Sequence, residues 1–386
     1  MNWDQLHLDF KAQNISGRYI TLSDIEPILH ALNTQNQLSI IGYSVQNKPI
    51  YQYKMGFGPT KILLWSQMHG NESTTTKGLI DFLQMLQSDI PLVQQWLQDF
   101  TFCCIPMLNP DGALAYTRVN ANQIDLNRDF QNLSQPESQL LRTIFDDYKP
   151  HFCYNLHDQR TIFGVGITGK PATVSFLAPA YNPSCDYNST RLRAVGVINA
   201  MNVTLQKIIP GQVGRFDDSF NNNCVGDCFQ ELGIPTILFE AGHFPNDYER
   251  EVTRKMIFIA LISSFICISE NDLVANNIDD YLNIPQNNVC FYDFVCKKVK
   301  INYDCIEKIT NFASQYKEEL IDNKLFFNSY IVRIDDLEGI FGHIEVDAQH
   351  QLYKDQFGNC PIIDNPATFT IGNKIEVKNG VLIEEL

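Results

Sequence analysis

Apolar runs alternate with helix-like stretches along roughly the first two thirds of the chain, between about residues 18 and 270. The run Lys61–Met68 is short and apolar, which is typical of a buried strand. In the next segment, Glu72–Leu86, apolar residues recur at the three- and four-residue spacing of a helix. The alternation continues through strand-like Phe100–Leu108, His151–Leu156 and Pro235–Phe239, and through helix-like Gln135–Tyr148 and Glu249–Ile268. This order predicts an α/β fold with a doubly wound mixed sheet.

A polar stretch near Asn271 to Asn288 is the best candidate for a domain boundary. We therefore expect residues 1–275 to form one domain and residues 276–386 a smaller C-terminal α+β region, whose role the sequence leaves open. Within that region Asp304–Asn323 has the pattern of an amphipathic helix. The segment Phe326–Val377 is strand-like and is punctuated by glycines.

The composition is that of a globular chain with enough apolar material for a core. Of the 386 residues, 44% are hydrophobic and only 19% are charged, which excludes a wholly disordered chain. There are 29 basic and 44 acidic residues, and 29 − 44 gives a formal net charge of −15. This balance argues against a nucleic-acid partner and against an anionic membrane, because both require positive potential.

The N-terminal residues and the cysteines bear on the compartment. The chain starts without the basic residues and the apolar run of a secretory signal. Its longest apolar stretch, Met256–Ile268, is too short to cross a bilayer and is predicted to be a buried helix. The 11 cysteines are scattered and form no CxxC pair. We therefore expect a cytoplasmic protein with reduced thiols, most of them small core residues.

One glycine-rich segment matches phosphate-binding patterns only in part. Gly164–Lys170 fits GxGxxG, but Pro171 stands where the Walker pattern needs Ser or Thr. The residues after Pro171 do not have a helical pattern, and a dinucleotide-binding loop must open a helix. We expect a surface loop here rather than a phosphate site.

A histidine and a glutamate three residues apart follow a predicted strand directly. His69 and Glu72 lie where the chain should turn from a strand into a helix, so they could place an imidazole and a carboxylate on one metal ion. Zinc in hydrolases takes three nitrogen or oxygen ligands and keeps a fourth position for water. His157, at the end of another apolar run, can supply the third. Alone, such a pair is a weak signal, and His157 alone could be an ordinary buried histidine.

Further motifs occur in a fixed order between and after these residues. They are Asn109-Pro110-Asp111-Gly112, Arg118, Asp125-Leu126-Asn127-Arg128 and Phe239-Glu240-Ala241-Gly242. Over about residues 18–270 this set resembles the zinc carboxypeptidase family, and also the related murein-peptide amidases and the aspartoacylase and succinylglutamate desuccinylase deacylases. Ile41–Ile50 resembles the N-terminal strand pair of the carboxypeptidases, with Asn47-Lys48 in place of Gly-Arg.

The resemblance implies a role for each of these residues. One zinc ion per chain would be bound by His69, Glu72 and His157. Asp125 would accept a hydrogen bond from the first zinc histidine. Arg118 would polarise the scissile carbonyl and stabilise its oxyanion, and Asn127 and Arg128 would grip the terminal carboxylate of the substrate. Glu240 would be the catalytic glutamate, which takes a proton from the zinc-bound water and passes it to the leaving amine.

The requirements of amide hydrolysis agree with the roles that the resemblance implies. The reaction needs a water made nucleophilic near neutral pH, charge stabilisation for the oxyanion, and a proton shuttle. Taken singly, each residue has a plain alternative. Glu240 could be a buried salt-bridge acid, and Arg118 and Arg128 could be solvated surface charges.

The sequence also departs from the carboxypeptidase pattern, which has a flap tyrosine about 22 residues before the catalytic glutamate. Here Arg215–Asn221 contains no tyrosine, and the tetrapeptide His69–Glu72 looks like that of the deacylases. We therefore predict a zinc metallocarboxypeptidase, a hydrolase that splits an amide bond next to a free C-terminal carboxylate. The alternatives are a zinc N-acyl amino acid deacylase and a catalytically inactive metal-binding module. The expected partner is a peptide or an N-acyl amino acid, and the oligomeric state is left open.

Three acids lie between the missing tyrosine and Glu240, namely Asp217, Asp218 and Asp227. One hypothesis is that one of them faces the side-chain pocket and favours a basic or amine-bearing C-terminal residue; the alternative is three solvated loop acids. The roles of Asp158 and His243, which lie next to site residues, are left open. Some deacylase relatives carry a β-rich appended domain that caps the site or builds an oligomer, and residues 276–386 could act similarly.

Overall fold

The structure is a computed structural model that describes residues 1–270, 278–303 and 306–385. The chain forms two compact units. The first consists of Met1–Gln159 and Ala172–Asn287, and the second of Arg160–Pro171 and Asn288–Leu386. The predicted boundary between residues 275 and 276 lies outside the described residues.

The elements follow one another from α1 to β18. The α-helices are α1 Trp3–Phe10, α2 Leu22–Leu32, α3 Thr74–Leu86, α4 Pro91–Asp99, α5 Pro110–Ala115, α6 Pro136–Tyr148, α7 Ser189–Leu205, α8 Val225–Glu231, α9 Glu251–Ser269 and α10 Ile278–Leu282, and a short 3-10 helix covers Leu126–Arg128. The strands are β1 Leu38–Tyr43, β2 Pro49–Met55, β3 Thr60–Ser66, β4 Phe100–Ile105, β5 Phe152–Asp158, β6 Phe163–Val165, β7 Val174–Leu177, β8 Val213–Arg215, β9 Thr236–Ala241, β10 Asn287–Val289, β11 Phe291–Tyr303, β12 Ile306–Ile321, β13 Lys324–Asp335, β14 Phe341–Asp347, β15 Tyr353–Lys354, β16 Phe369–Ile371, β17 Ile375–Lys378 and β18 Val381–Glu385.

The first unit is built on an eight-stranded mixed sheet in the order β1-β2-β4-β3-β5-β9-β7-β8. Its centre, β4-β3-β5-β9, is parallel, whereas β1, β2 and β7 run antiparallel to neighbours. Parallel strands bring their carboxyl ends to one edge of the sheet. The ends of β3, β5 and β9 therefore lie side by side.

Both faces of this sheet are covered, as in doubly wound folds. Successive residues of β3 point to opposite faces, so that Ile62 and Leu64 join one apolar cluster and Leu63 and Trp65 the other. The larger cluster includes residues of α3, α7 and α9, and the smaller one residues of α6 and α8. The predicted α/β class with a mixed sheet is confirmed.

Helix α9 contains the apolar stretch that the sequence predicts as a buried helix. By length and composition alone, Glu251–Ser269 could cross a membrane, since its mean hydropathy is 1.7. In the structure 72% of the most apolar 18-residue stretch of this helix is buried. Residues from Met256 to Phe265 lie in the larger core cluster with α3 and α7. This is the packing of a core helix in a globular unit.

The second unit holds two four-stranded sheets, β13-β12-β11-β14 and β15-β16-β17-β18, around a shared apolar cluster. The prediction of a helix over Asp304–Asn323 is wrong, because Ile306–Ile321 forms strand β12, antiparallel to β11 and β13. The apolar residues there recur at helix-like intervals, but Ile306 and Ile309 are exposed and pack on no core. Cross-strand pairing on both sides decided the conformation, which local spacing does not encode.

The glycine-rich segment Gly164–Lys170 lies in the second unit. Its backbone closes a turn, because the N of Val165 donates to the O of Lys170 at 2.9 Å and Gly164 bridges Pro171. Ile167, at its tip, is 86% exposed. The segment is a surface loop and opens no helix.

Candidate active site

The corner between β3 and α3 depends on glycines. A Cβ atom on Gly70 would lie 1.9 Å from the carbonyl carbon of Gly112, so the two backbones meet where no larger residue fits. Nδ2 of Asn109 donates to the O of Met68 at 3.1 Å, and its Oδ1 accepts from the N of Gly112 at 2.8 Å. The motifs at residues 69–72 and 109–112 thus form one packed unit, which fixes the backbone of His69.

The structure brings His69, Glu72 and His157 together. One ligand atom from each lies within 4.8 Å of the others. Nδ1 of His69 lies 2.9 Å from Oε1 of Glu72, and Nδ1 of His157 lies 2.8 Å from Oε2. The two Nδ1 atoms are 3.0 Å apart. All three residues are at least nine-tenths buried.

This donor set fits a zinc ion. Two imidazole nitrogens and a carboxylate are the usual ligands of hydrolytic zinc, and tetrahedral zinc–nitrogen bonds of 2.0–2.1 Å place two nitrogens about 3.3 Å apart. Two facing Nδ1 atoms at 3.0 Å cannot both be bare acceptors, whereas a shared cation satisfies both lone pairs. Nε2 of His157 is buried and has no hydrogen-bond partner within the described ranges.

Asp125 and Arg118 lie directly behind the metal cluster. Oδ1 of Asp125 lies 2.9 Å from Nε2 of His69, on the side of the ring away from Glu72. Arg118 donates from Nε to Oδ2 of Asp125 at 2.9 Å and from NH1 to Oε1 of Glu72 at 3.1 Å. Burial alone would raise the pKa of Asp125, but the hydrogen bond and charge of His69 and the charge of Arg118 hold it well below its usual value. The side chain of Arg118 is 46% exposed, so it can reach a ligand.

Glu240 lies beside His157 on the next strand. The two residues are register partners across β5 and β9, so their side chains point to the same face. Glu240 is only 9% exposed, and its carboxylate accepts no hydrogen bond from the described residues. Burial, followed by the charges of Glu72 and Asp158, raises its pKa well above the usual value, against the opposing charges of Arg118 and Arg250. A buried carboxylate that accepts no hydrogen bond and has a strongly raised pKa is unusual in a structural core and typical of a functional group.

Asn127 and Arg128 lie on the 3-10 helix, against the loop that precedes α8. Oδ1 of Asn127 accepts from the N of Val225, the first residue of α8, at 3.0 Å. Arg128 is exposed, and its NH1 donates to the O of Asn127 at 2.7 Å and lies 3.2 Å from Sγ of Cys224. The backbone of Phe130 also donates to the O of Asn223. The residues Asn223 to Val225, which follow the segment Arg215–Asn221, thus contact the 3-10 helix that carries the predicted carboxylate-binding pair.

Sequence reasoning missed one residue that supports the strand ends. Arg250, almost fully buried, donates from NH2 to the O of Gln159 at 2.7 Å and from NH1 to the O of Ala241. These carbonyls follow His157 and Glu240 closely in the chain, so one guanidinium ties together the two strands that carry them. Its backbone is left-handed, with φ 58°, and no motif marks it in the sequence.

The three acids before Glu240 have different surroundings. Asp218 pairs with NH2 of Arg191 at 2.6 Å, and Asp217 accepts from Ser219 within its own turn. Asp227 is buried, and burial raises its pKa to about 7. The hypothesis that one of the three selects a basic residue stays a prediction.

His243, whose role the sequence left open, does not join the metal cluster. Its ring centroid lies 4.7 Å from that of Tyr248, and its backbone O accepts from Oγ1 of Thr173 at 2.9 Å. The second of these contacts connects the segment after β9 to the residue before β7.

Comparisons with known sequences point to one family. Residues 26–153 match the model of the zinc carboxypeptidase family (Peptidase_M14), a span that includes His69 and Asp125 but ends before His157 and Glu240. A probable carboxypeptidase 2 of Arthroderma benhamiae is 26% identical over 100 residues, which are 25% of this chain and 19% of that protein. Carboxypeptidase SOL1 of Arabidopsis thaliana is 27% identical over 162 residues, 36% of this chain and 33% of that protein. The chain thus matches from a fifth to a third of the length of these relatives.

Solved structures show the same fold. A metallo-carboxypeptidase from Burkholderia cenocepacia matches with a TM-score of 0.54 at 16% identity, over 65% of this chain and 69% of that one. A metallo-carboxypeptidase from Pseudomonas aeruginosa, in complex with (2-guanidinoethylmercapto)succinic acid, matches with 0.52 at 17% identity, over 64% and 69%. The predicted resemblance to the zinc carboxypeptidase family is confirmed by the family match, the relatives and the fold. The family is one of hydrolytic metallopeptidases, and it implies zinc.

Proposed function

We propose that this protein is a zinc metallocarboxypeptidase that hydrolyses an amide bond next to a free C-terminal carboxylate, with one zinc ion per chain. The observation that carries the proposal is the convergence of His69, Glu72 and His157 beside Glu240, a buried carboxylate that has no hydrogen-bond partner among the described residues. Bound by these three residues, zinc would lower the pKa of a water molecule and withdraw charge from the substrate carbonyl.

The other residues have separate tasks. Glu240 accepts a proton from the attacking water and delivers it to the leaving amine, a task for which a raised pKa suits a carboxylate. Arg118, half exposed and oriented by Asp125, donates to the oxyanion that develops on the carbonyl. The NH2 group of Asn127 and the exposed guanidinium of Arg128 bind the terminal carboxylate, for which a guanidinium offers two parallel donors.

The substrate is a peptide or another amide with a free carboxylate. The structural neighbour from P. aeruginosa is in complex with a succinic acid derivative, which carries carboxylates, and this supports a carboxylate-binding site here. A second candidate is an N-acyl amino acid deacylase on the same metal site. It is favoured by the loop Arg215–Asn221, which has no tyrosine to close over a peptide end.

The proposal is tested by metal content and turnover together. The purified chain is assayed with blocked dipeptides, a murein tripeptide and N-acyl amino acids, before and after removal of metal and after return of zinc. We expect one zinc per chain and turnover that disappears with the metal and in Glu240→Gln. The matched control is Glu231→Gln, which neutralises an exposed acid at the end of α8 and should be fully active.

The outcomes separate the candidates. Turnover of blocked dipeptides supports the carboxypeptidase, and turnover of N-acyl amino acids alone supports the deacylase. Zinc binding with no turnover of any substrate in the panel would favour the inactive metal-binding module. Failure to bind zinc would overturn the mechanism altogether.

We also propose a cytoplasmic location. The support is that the described cysteines are all free thiols, which is usual in a reducing compartment. Fractionation of the source cells with an antibody against this chain tests it, and recovery outside the cytoplasm would contradict it.

A further inference from the structure

Asp158 is the last residue of β5, next to the metal ligand His157, and it is only 7% exposed. Its carboxylate points to the start of α3 and not into the metal cluster. Oδ2 accepts from the N of Thr74 at 2.9 Å, and Oδ1 accepts from the N of Thr75 at 3.2 Å. These are the first two residues of α3, whose amides have no partner within the helix.

Helix α3 has no cap of its own. Ser73, its N-cap residue, makes no side-chain cap hydrogen bond and instead donates from Oγ to the O of Arg18. The carboxylate of Asp158 therefore takes the place of the cap from a strand 84 residues away in the chain. A carboxylate is well suited to cap a helix, because the N-terminus of a helix carries partial positive charge.

The backbone of Asp158 makes a second contact with the same corner. Its N donates to Oε2 of Glu72 at 3.1 Å, the oxygen that also lies 2.8 Å from Nδ1 of His157. Glu72 comes two residues before the start of α3. One residue of β5 thus holds both the carboxylate of the ligand Glu72 and the helix start that follows it.

We propose that Asp158 is a positioning residue that sets the separation between the strand carrying His157 and the corner carrying Glu72, and so preorganises the cation site. The two ligands come from different elements, and only contacts between those elements can fix their distance. Asp158 takes part in four hydrogen bonds there, the fourth from Oγ1 of Thr75 to its Oδ1 at 3.5 Å. Because both of its oxygens face α3, it is not itself a ligand of the cation.

This role rests on the metal site of the proposed function but not on peptidase activity, so it is tested by metal binding. Asp158→Asn keeps the size of the side chain but loses its charge and one acceptor oxygen. Affinity for zinc is measured by competition with a chelator on the metal-free protein, and geometry by the visible spectrum of the cobalt-substituted protein. We expect zinc affinity to fall by about 10- to 100-fold and the cobalt spectrum to change.

The matched control is Asn188→Ala, which removes the side-chain cap of α7, a hydrogen bond of 2.9 Å to the N of Arg191. It should lower stability by about 1 kcal/mol and leave zinc affinity unchanged. If Asp158→Asn does not fold, Asp158→Glu retains the charged cap on a longer side chain. It should then bind zinc more weakly at nearly normal stability.

The results separate this role from the proposed function. Zinc affinity of wild-type strength in folded Asp158→Asn, or in Asp158→Glu if that variant is used, would overturn the positioning role and leave the proposed function intact. A wild-type protein that binds no zinc would overturn the proposed function and the positioning role with it. Weakened binding in the Asp158 variant but not in Asn188→Ala supports the positioning role.

Discussion

Asp125→Asn tests whether His69 is held in the orientation that a metal ligand needs. Oδ1 of Asp125 lies 2.9 Å from Nε2 of His69 and accepts from the N of Asn127 at 2.9 Å, while Oδ2 accepts from Nε of Arg118 at 2.9 Å. A carboxylate at Nε2 keeps the ring proton there, which leaves the lone pair of Nδ1 for the cation. Asparagine has one oxygen, so its NH2 group must face an N–H of either His69 or Arg118.

The magnitude follows from the contact that is lost. A hydrogen bond to a charged group contributes about 1.5–3 kcal/mol. Removal of the acceptor behind a metal-binding histidine lowers metal affinity about 10- to 100-fold, which corresponds to about 1.4–2.7 kcal/mol. The two ranges agree, and we expect the zinc Kd of Asp125→Asn to rise by about 10- to 100-fold.

The assay is chelator competition near neutral pH, with urea unfolding of the metal-free proteins alongside. The control is Asp146→Asn, which breaks an exposed pair with Arg142 on α6 and should change neither quantity measurably. A zinc Kd for Asp125→Asn within about threefold of wild type, a difference of about 0.65 kcal/mol, would refute the reasoning. It would mean that packing alone orients His69.

Three further predictions concern the corner, the carboxylate site and a buried acid. Gly70→Ala should lower the free energy of unfolding by about 1–3 kcal/mol and also weaken zinc binding, because its Cβ would enter the backbone of Gly112. The control is Gly233→Ala, where a Cβ has nothing within 4 Å, and it should leave zinc binding unchanged. Arg128→Lys should raise KM for carboxylate-ended substrates about tenfold with a smaller change in kcat, since lysine cannot donate in parallel, and an unchanged KM would contradict the assigned role. Asp227 has a native pKa of about 7 against an ordinary 3.8, so the folded state binds more protons between these values and wild-type stability falls as pH rises through that window. Asp227→Asn should therefore be more stable than wild type above pH 7, by at most about 4 kcal/mol. Urea unfolding measures the difference in free energy of unfolding between variant and wild type, and a difference that does not grow from acidic to neutral pH would contradict this.

Much of the first unit follows from the sequence because its strands are buried on both faces. The apolar run Lys61–Met68 contains β3, and Glu72–Leu86 contains α3, which begins two residues later than predicted. Such runs are strong local signals. Strand β12 is different, because its long pairing with β11 and β13 involves residues distant in the chain, and its exposed apolar residues imitate a helix.

The site, too, contains residues that the sequence predicts and residues that it does not. The sequence predicts His69, Glu72, His157 and Glu240 because they stand at the ends of predicted strands within recognisable motifs, and the structure brings them together. The roles predicted for them stay predictions until they are tested. Asp158 and Arg250 could not be assigned from sequence, since their partners are backbone groups of distant segments. Nearly every residue type has the same backbone amide and carbonyl, so the sequence does not show which of them is the partner.

The balance of charge indicates that this cluster is built to bind a divalent cation and not only to stabilise the fold. The region holds four carboxylates and two guanidiniums, those of Glu72, Asp125, Asp158 and Glu240 and those of Arg118 and Arg250. Three of the carboxylates accept hydrogen bonds, whereas Glu240 is buried, accepts none from the described residues, and faces the charges of Glu72 and Asp158 against those of Arg118 and Arg250. Burial of a carboxylate that accepts no hydrogen bond is costly, and a core built only for stability would place a neutral residue there. A cation held between His69, Glu72 and His157 would supply the two positive charges that the cluster lacks, and it would do so beside the carboxylate that the reaction needs in its ionised form.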